Sequence, residues 1–269
     1  MVRRVLLLLL LLLLGYAGWL AWGLPARSDV RALARANPSV TSVMRQREAE
    51  ARRAGRRTRR VQAWVPISGV SRHLIHAVIA SEDQKFFGHD GVDWEAIKDS
   101  VEADRKGGRF VRGGSTITQQ LAKNLFFTTE KSLTRKLREL IVARWLEQDL
   151  AKKRILELYL NVIEWGDGIY GCQAAARRYY GKGVSDLEPA EAAGLAGMIP
   201  NPRRINPDVD GKRFARAQRR ALWLMANAGY IGREAAGLGT EPPPPEPVEE
   251  DAEEPPPATP EPPPTPGVR

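Results

Sequence analysis

Two glutamates stand in contrasting company. Glu82 follows Leu74, Ile75, Val78 and Ile79, so two apolar residues lie one helical turn before it. Burial among such residues disfavours the charged carboxylate and raises its pKa, which suits it to accept a proton near neutral pH. Glu139 sits among Arg135, Lys136 and Arg138, and neighbouring positive charge keeps a carboxylate ionised. Carboxylates held apart in this way can divide proton transfer from charge organisation. The plainer alternative makes Glu82 a solvated charge at a helix end. Glu139 would then form a surface pair with Arg135, worth a few tenths of a kcal/mol.

Between them runs a small, polar segment, Gly113-Gly114-Ser115-Thr116-Ile117-Thr118-Gln119-Gln120-Leu121-Ala122-Lys123-Asn124, reached through Gly107 and Gly108. Glycines allow close backbone approach, so the segment reads as a cover over a carbohydrate or phosphate substrate, with Lys123 supplying charge. A flexible connection is the other reading. Several chemistries are excluded or disfavoured. Cys172 is the single cysteine, so no intrachain disulfide or cysteine zinc site can form. Only His73, His76 and His89 are present, with no HExxH pair, and no GxxxxGK[ST] loop occurs.

The elements that must position these residues read as helices. Ser71 can cap a helix ending between Glu82 and Lys85. Another begins near Ser132, with Leu133, Leu137, Leu140, Ile141 and Ala143 on one face. Further helices carry Ile155, Leu158, Tyr159 and Val162, then an alanine-rich stretch behind a Ser185-x-x-Glu188 capping box. The last is lined by Phe214, Ala217, Ala221, Leu224 and Ala228 and closed by Gly229. No convincing strand-length alternation and no internal repeat is present.

Five segments in order carry a resemblance: Glu82 to Gly91, Gly113 to Asn124, Arg135 to Glu139, Lys153 to Asn161 and Ala174 to Lys182. They resemble the motifs of peptidoglycan glycosyltransferases, more narrowly the monofunctional biosynthetic members of Gram-negative bacteria. The likeness covers roughly Pro66 to Pro207. It implies a mainly α fold, a lysozyme-like helical lobe with a small membrane-proximal lobe, preceded by one transmembrane helix. It also implies polymerisation of lipid II into β-1,4-linked glycan, with inversion and release of undecaprenyl diphosphate. Glu82 would be the general base. Glu139 would organise the diphosphate site with the basic side chains or a divalent cation, Mg²⁺ or Mn²⁺, which it would then ligate. Lys123, Lys131, Arg135, Lys136 and Arg138 would face the phosphates, while Ser115, Gln119 and Gln120 line the donor cleft. Lys131 stands where relatives often have Arg, keeping charge but losing the bidentate fork. His89 is expected to hold the loop after Glu82, and Phe86, Phe87 and Trp94 to pack.

Two rivals follow from the same resemblance. A lysozyme-like hydrolase needs a protonated acid for an alkoxide leaving group and has no use for the cations around Glu139. A non-catalytic scaffold of wall synthesis has no use for the two glutamates. The 37 residues after Gly232 are too few for an appended transpeptidase domain.

The chain has 269 residues and a formal charge of +9. Residues 241–269 hold 13 of the 20 prolines and eight acidic groups against Arg269, a net −7 that leaves +16 on residues 1–240. The expected organisation is a cytoplasmic tip and anchor over 1–24 and an Arg-rich connector over 25–60, solvated helix or disordered. A catalytic domain over 61–235 and a disordered Pro/Glu-rich tail over 236–269 follow. Val5 to Leu24 is uncharged, contains nine consecutive leucines and is long enough to span a hydrocarbon core of about 30 Å. Trp19 and Trp22 suit an interface, and the segment reads as an uncleaved anchor rather than a signal peptide. Arg3 and Arg4 favour a cytoplasmic amino terminus, whereas Arg27, Arg31 and Arg35 weigh the other way. Expected partners are lipid II, the growing glycan, membrane lipids and other wall-synthesis proteins. The eight arginines between Arg45 and Arg60 suit anionic headgroups, and no nucleic-acid module accompanies them. The expected location is the inner membrane, single-pass, with the catalytic domain in the periplasm.

Overall fold

The computed structural model describes residues 2–98, 114–234 and 237. The glycine approach from Gly107 to Gly113 and the stretch from Glu241 onward lie outside the described residues. Helix α1 (Val2–Trp22) buries no side chain. A helix apolar all round and unburied fits a membrane span, and its 21 residues reach about 30 Å.

Helices α2 (Arg27–Ala32) and α3 (Ser42–Arg53) occupy the Arg-rich connector. Its few apolar residues are seated in the protein, because Val30, Val43 and Met44 are buried. Thr41 starts α3 by accepting from the Met44 N–H at 3.2 Å. Gln46 then exchanges two hydrogen bonds with Thr129, at 2.7 and 2.8 Å.

Further helices among the described residues include α4 (Arg72–Glu82), α5 (Ile117–Phe126), α6 (Leu133–Asp149), α7 (Lys152–Val162), α8 (Cys172–Tyr180), α9 (Pro189–Met198) and α10 (Gly211–Asn227). Strands β1 (Val61–Gln62), β2 (Glu164–Gly166) and β3 (Ile169–Tyr170) form a small sheet of order β1-β3-β2. There β1 runs parallel to β3, with Val61 opposite Ile169, and β2 runs antiparallel to it. These strands are two or three residues long, too short for an alternating pattern to register. The protein is mainly α, as expected.

Helix α4 begins where Ser71 accepts from the His73 N–H and donates its hydroxyl to the Leu187 carbonyl. Leu74, Ala77 and Val78 recur at helical spacing and are buried, against α9 and α10. At the centre, α7 buries Ile155, Leu156, Leu158, Tyr159 and Leu160, leaving little of that stretch in solvent.

Two expectations need correction. The alanine-rich helix α9 is not capped by Ser185, which lies in a short 3₁₀ turn over Val184–Asp186. Its cap is Glu188, whose N–H donates to Glu191 Oε2 at 2.9 Å. Pro189 has the fixed φ of a first helical residue and sets the start there. Helix α6 also presents a different face from the one the leucines suggest. Its buried residues are Glu139, Val142, Ala143 and Leu146, while Leu133 is 86% and Leu137 40% exposed. A buried carboxylate with cationic partners fixes the rotation of this helix more strongly than two leucines do.

The approach of α9 to α10 depends on Gly197. A Cβ there would lie 2.8 Å from the backbone of Ala217, closer than real side chains come. Gly197→Ala should therefore cost about 2 kcal/mol by overpacking and lower the thermal midpoint by roughly 6 °C. An unchanged midpoint in a melting experiment would show that the two helices separate freely.

Candidate active site

The site is assembled at the junction of α4 and α5. Helix α4 ends at Glu82, and the next residue, Asp83, is 7% exposed with φ −164°. Its carboxylate accepts from the backbone N–H of Ile117 at 3.0 Å, at the first turn of α5 where a negative charge is favoured. It also meets His89 Nε2 at 2.9 Å. The Gly91 N–H donates to His89 Nδ1, so Nε2 carries the proton and donates to Asp83. Thr116, the cap of α5, donates its hydroxyl to the Gly91 carbonyl at 2.7 Å. The loop after Glu82 is thus tied to the start of α5 from both sides, and His89 holds it.

This stitching brings Gln120, in the first turn of α5, to Glu82. The Gln120 Nε2 donates to Glu82 Oε2 at 2.7 Å, and Gln120 Oε1 accepts from the Tyr159 hydroxyl at 2.8 Å. Tyr159 is fully buried. Burial, together with the nearby Glu82 and Asp83 charges, holds its hydroxyl well above the ordinary tyrosine value. It therefore stays protonated and fixes which end of the amide faces Glu82.

The second carboxylate is organised by charge. Glu139 is 2% exposed, pairs with Arg135 one turn earlier and lies 3.6 Å from Lys136 Nζ. Lys136 Nζ also donates to Ser115 Oγ at 2.7 Å and to Gln119 Oε1 at 2.9 Å. Gln119 is itself buried and reaches the Gly91 carbonyl. Lys123 lies between the two centres electrostatically. Burial, Arg135 and Lys136 lower its pKa, while Glu139 and Glu82 oppose the shift. Lys136 is lowered as well, chiefly by burial.

The family model described as Transglycosylase matches residues 48–228. The chain belongs to the transglycosylase family. The biosynthetic peptidoglycan transglycosylase of Dechloromonas aromatica (strain RCB) is 53% identical over 167 residues, 62% of this chain and 72% of that protein. Its counterpart in Aromatoleum aromaticum is 50% identical over 185 residues, covering 68% and 80%. That of Nitrosospira multiformis is 43% identical over 192 residues, covering 71% and 84%.

Within this transglycosylase, Glu82, Ser115, Gln119, Gln120, Lys123, Arg135, Lys136 and Glu139 are joined by hydrogen bonds, ion pairs or mutual fields. Lys131 is exposed in the segment between α5 and α6. Arg138 is turned elsewhere, onto the carbonyls of Trp19 and Leu20 at the end of α1. Sequence reasoning gave Asp83 no role and Tyr159 only a place on a helix, although both lie inside the five motif segments. The missing signal was distance, because their partners are 34 and 39 positions away.

Among the described residues no group of three or more His, Cys, Asp or Glu side chains converges. Glu139 is a single carboxylate with its two oxygens facing Arg135 and Lys136.

Asp83 is the linchpin of the arrangement. Asp83→Ala removes a helix-start acceptor, worth about 1 kcal/mol, and orphans the largely buried His89 donor, worth about 1–3 kcal/mol. A fall in the thermal midpoint of roughly 5–10 °C is expected. A variant that melts with the parent would mean that the loop is held by other contacts.

Proposed function

We propose that this protein polymerises lipid II, with the incoming sugar 4-hydroxyl attacking the anomeric carbon of a diphosphate-linked glycan. The enzyme is a peptidoglycan glycosyltransferase by family and relatives. One observation carries the residue assignment: Glu82 is held by the neutral amide of Gln120, whereas Glu139 is held by cations. A hydroxyl is a weak nucleophile and needs a base, a contribution worth roughly 10²–10⁴-fold. A diphosphate is already a stable anion, so its departure needs fixed positive charge and no strong acid.

In this reading Glu82 takes the hydroxyl proton as the new β-1,4 bond forms with inversion, and the carbon–oxygen bond to the diphosphate breaks. Gln120 and Tyr159 hold the accepting carboxylate in one orientation. Lys123, Lys136 and Arg135 meet the departing charge, and Glu139 keeps those cations gathered while the site is empty. Ser115 and Gln119 place Lys136. The phosphates thus find their counter-charges preorganised in the side chains of α5 and α6. Helix α1 supports a single-pass anchor, which we place in the inner membrane with the catalytic domain in the periplasm and Arg3 and Arg4 on the cytoplasmic side.

Glu82→Gln should abolish glycan growth on lipid II, with a loss of at least about 10²-fold and little change in thermal midpoint. Undiminished product would remove Glu82 as the base. The lowered Lys123 pKa gives a second expectation with a definite sign. The ammonium is lost at lower pH than for a free lysine, so kcat/KM should fall on the alkaline side below the ordinary lysine value. Lys123→Arg keeps its charge to higher pH and should move that limb upward. A limb that stays in place would take Lys123 out of the diphosphate site.

A further inference from the structure

The cation of the Arg135 to Glu139 motif that does not turn toward Glu139 has a site of its own. Arg138 Nε donates to the Leu20 carbonyl at 3.0 Å, and its Nη2 donates to the Trp19 carbonyl at 2.7 Å. The guanidinium also lies 5.1 Å from the centre of the Trp19 ring. The last four carbonyls of a helix lack intrahelical donors and carry the negative end of its dipole. Here the Leu24 N–H goes to Ala21, leaving the Leu20 carbonyl to Arg138. Gly23 completes the seat, since a Cβ there would fall 2.1 Å from the Arg138 guanidinium carbon. Bidentate reach, stacking and fixed charge together are properties of arginine that lysine lacks.

We propose that Arg138 is a positioning residue that clamps the membrane anchor to the catalytic helix, fixing the height of Glu139 and its cations above the bilayer. The inference rests on the polymerase reading, in which the substrate's diphosphate sits at the headgroup plane of the same membrane. A second contact supports it. Arg27, just beyond the anchor, pairs with Asp149 at 3.0 Å and lies 5.0 Å from the Trp145 ring centre. Helix α6 is therefore gripped near both ends by the segment that leaves the membrane. A rigid link of this kind matters only where both enzyme and substrate are held in the same lipid plane.

The test compares lipid II polymerisation in liposomes and in detergent micelles, which impose no common plane. Arg138→Ala and Gly23→Ala should each lower kcat/KM in liposomes roughly tenfold, within what a misplacement of about 1 Å commands. The double variant should be no worse than either single one. Arg138→Lys should fail to restore the parent rate, and Gly23→Ala should retain the detergent rate. Spin labels at Gly15→Cys and Leu133→Cys should give a narrow distance distribution in the parent and a broad one in both clamp variants. Cys172 is buried and stays unlabelled. Rescue by Arg138→Lys, parent behaviour of Gly23→Ala in liposomes, or unchanged label distances would overturn the clamp. A parent chain inactive on lipid II in both media would instead sink the polymerase reading, and the label distances would still test the clamp.

Discussion

The carboxylate of Asp83 meets two demands at once: the unsatisfied N–H at the start of α5 and the proton on His89 Nε2. Helix α4 has to stop at Glu82 for that carboxylate to turn inward. Helix α5 has to begin at Ile117 for its N–H to be waiting. Once both conditions hold, Gln120 stands one turn along α5 opposite Glu82, and Gln119 and Lys123 follow on neighbouring faces. The candidate site residues are therefore placed by a buried structural bond.

A second constraint comes from charge. Helix α6 turns Glu139 into the protein and leaves Leu133 and Leu137 outside, the reverse of what an aqueous surface would select. A buried carboxylate is tolerated only when paired, and Arg135, Lys136 and the field of Lys123 supply the pairing. The outward leucines stand on the helix whose Arg138 caps the anchor, so the face that water would reject lies on the element tied to the membrane. Nearby, an open groove of about 1150 Å³ is lined by Phe87, Trp94 and Trp145 together with charged residues such as Lys85, Glu95 and Arg144. Phe87 and Trp94, expected to pack, are 58% and 70% exposed.

Local patterns in the chain were legible where the physics is local. Ser71, followed by apolar residues at helical spacing, marked the start of α4, and its expected end between Glu82 and Lys85 agrees with the end at Glu82. Gly229, with φ +76°, closes the last helix region as its type suggests. The cap of α9 was misread because Ser185 and Glu188 match a common pattern, while Pro189 decides the matter by fixed backbone geometry. The rotation of α6 was illegible for a different reason, since the apolar pattern of a helix indicates what avoids water but not whether protein or lipid takes its place. The site followed the same division. Residue types and motif order pointed to Glu82, Lys123, Lys136 and Glu139. The partnership of Gln120 with Tyr159 and the turning of Arg138 toward Trp19 depend on three-dimensional closure.

The amide between Tyr159 and Glu82 carries a consequence for turnover. A carboxamide donates through nitrogen and accepts through oxygen, but under ordinary conditions it does not relay a proton from one side to the other. In the proposed cycle every sugar added deposits one proton on Glu82, and the buried phenol cannot drain it through Gln120. Resetting the base must use another exit, toward water or the departing diphosphate. The speed of that discharge sets a ceiling on how quickly successive sugars can be joined.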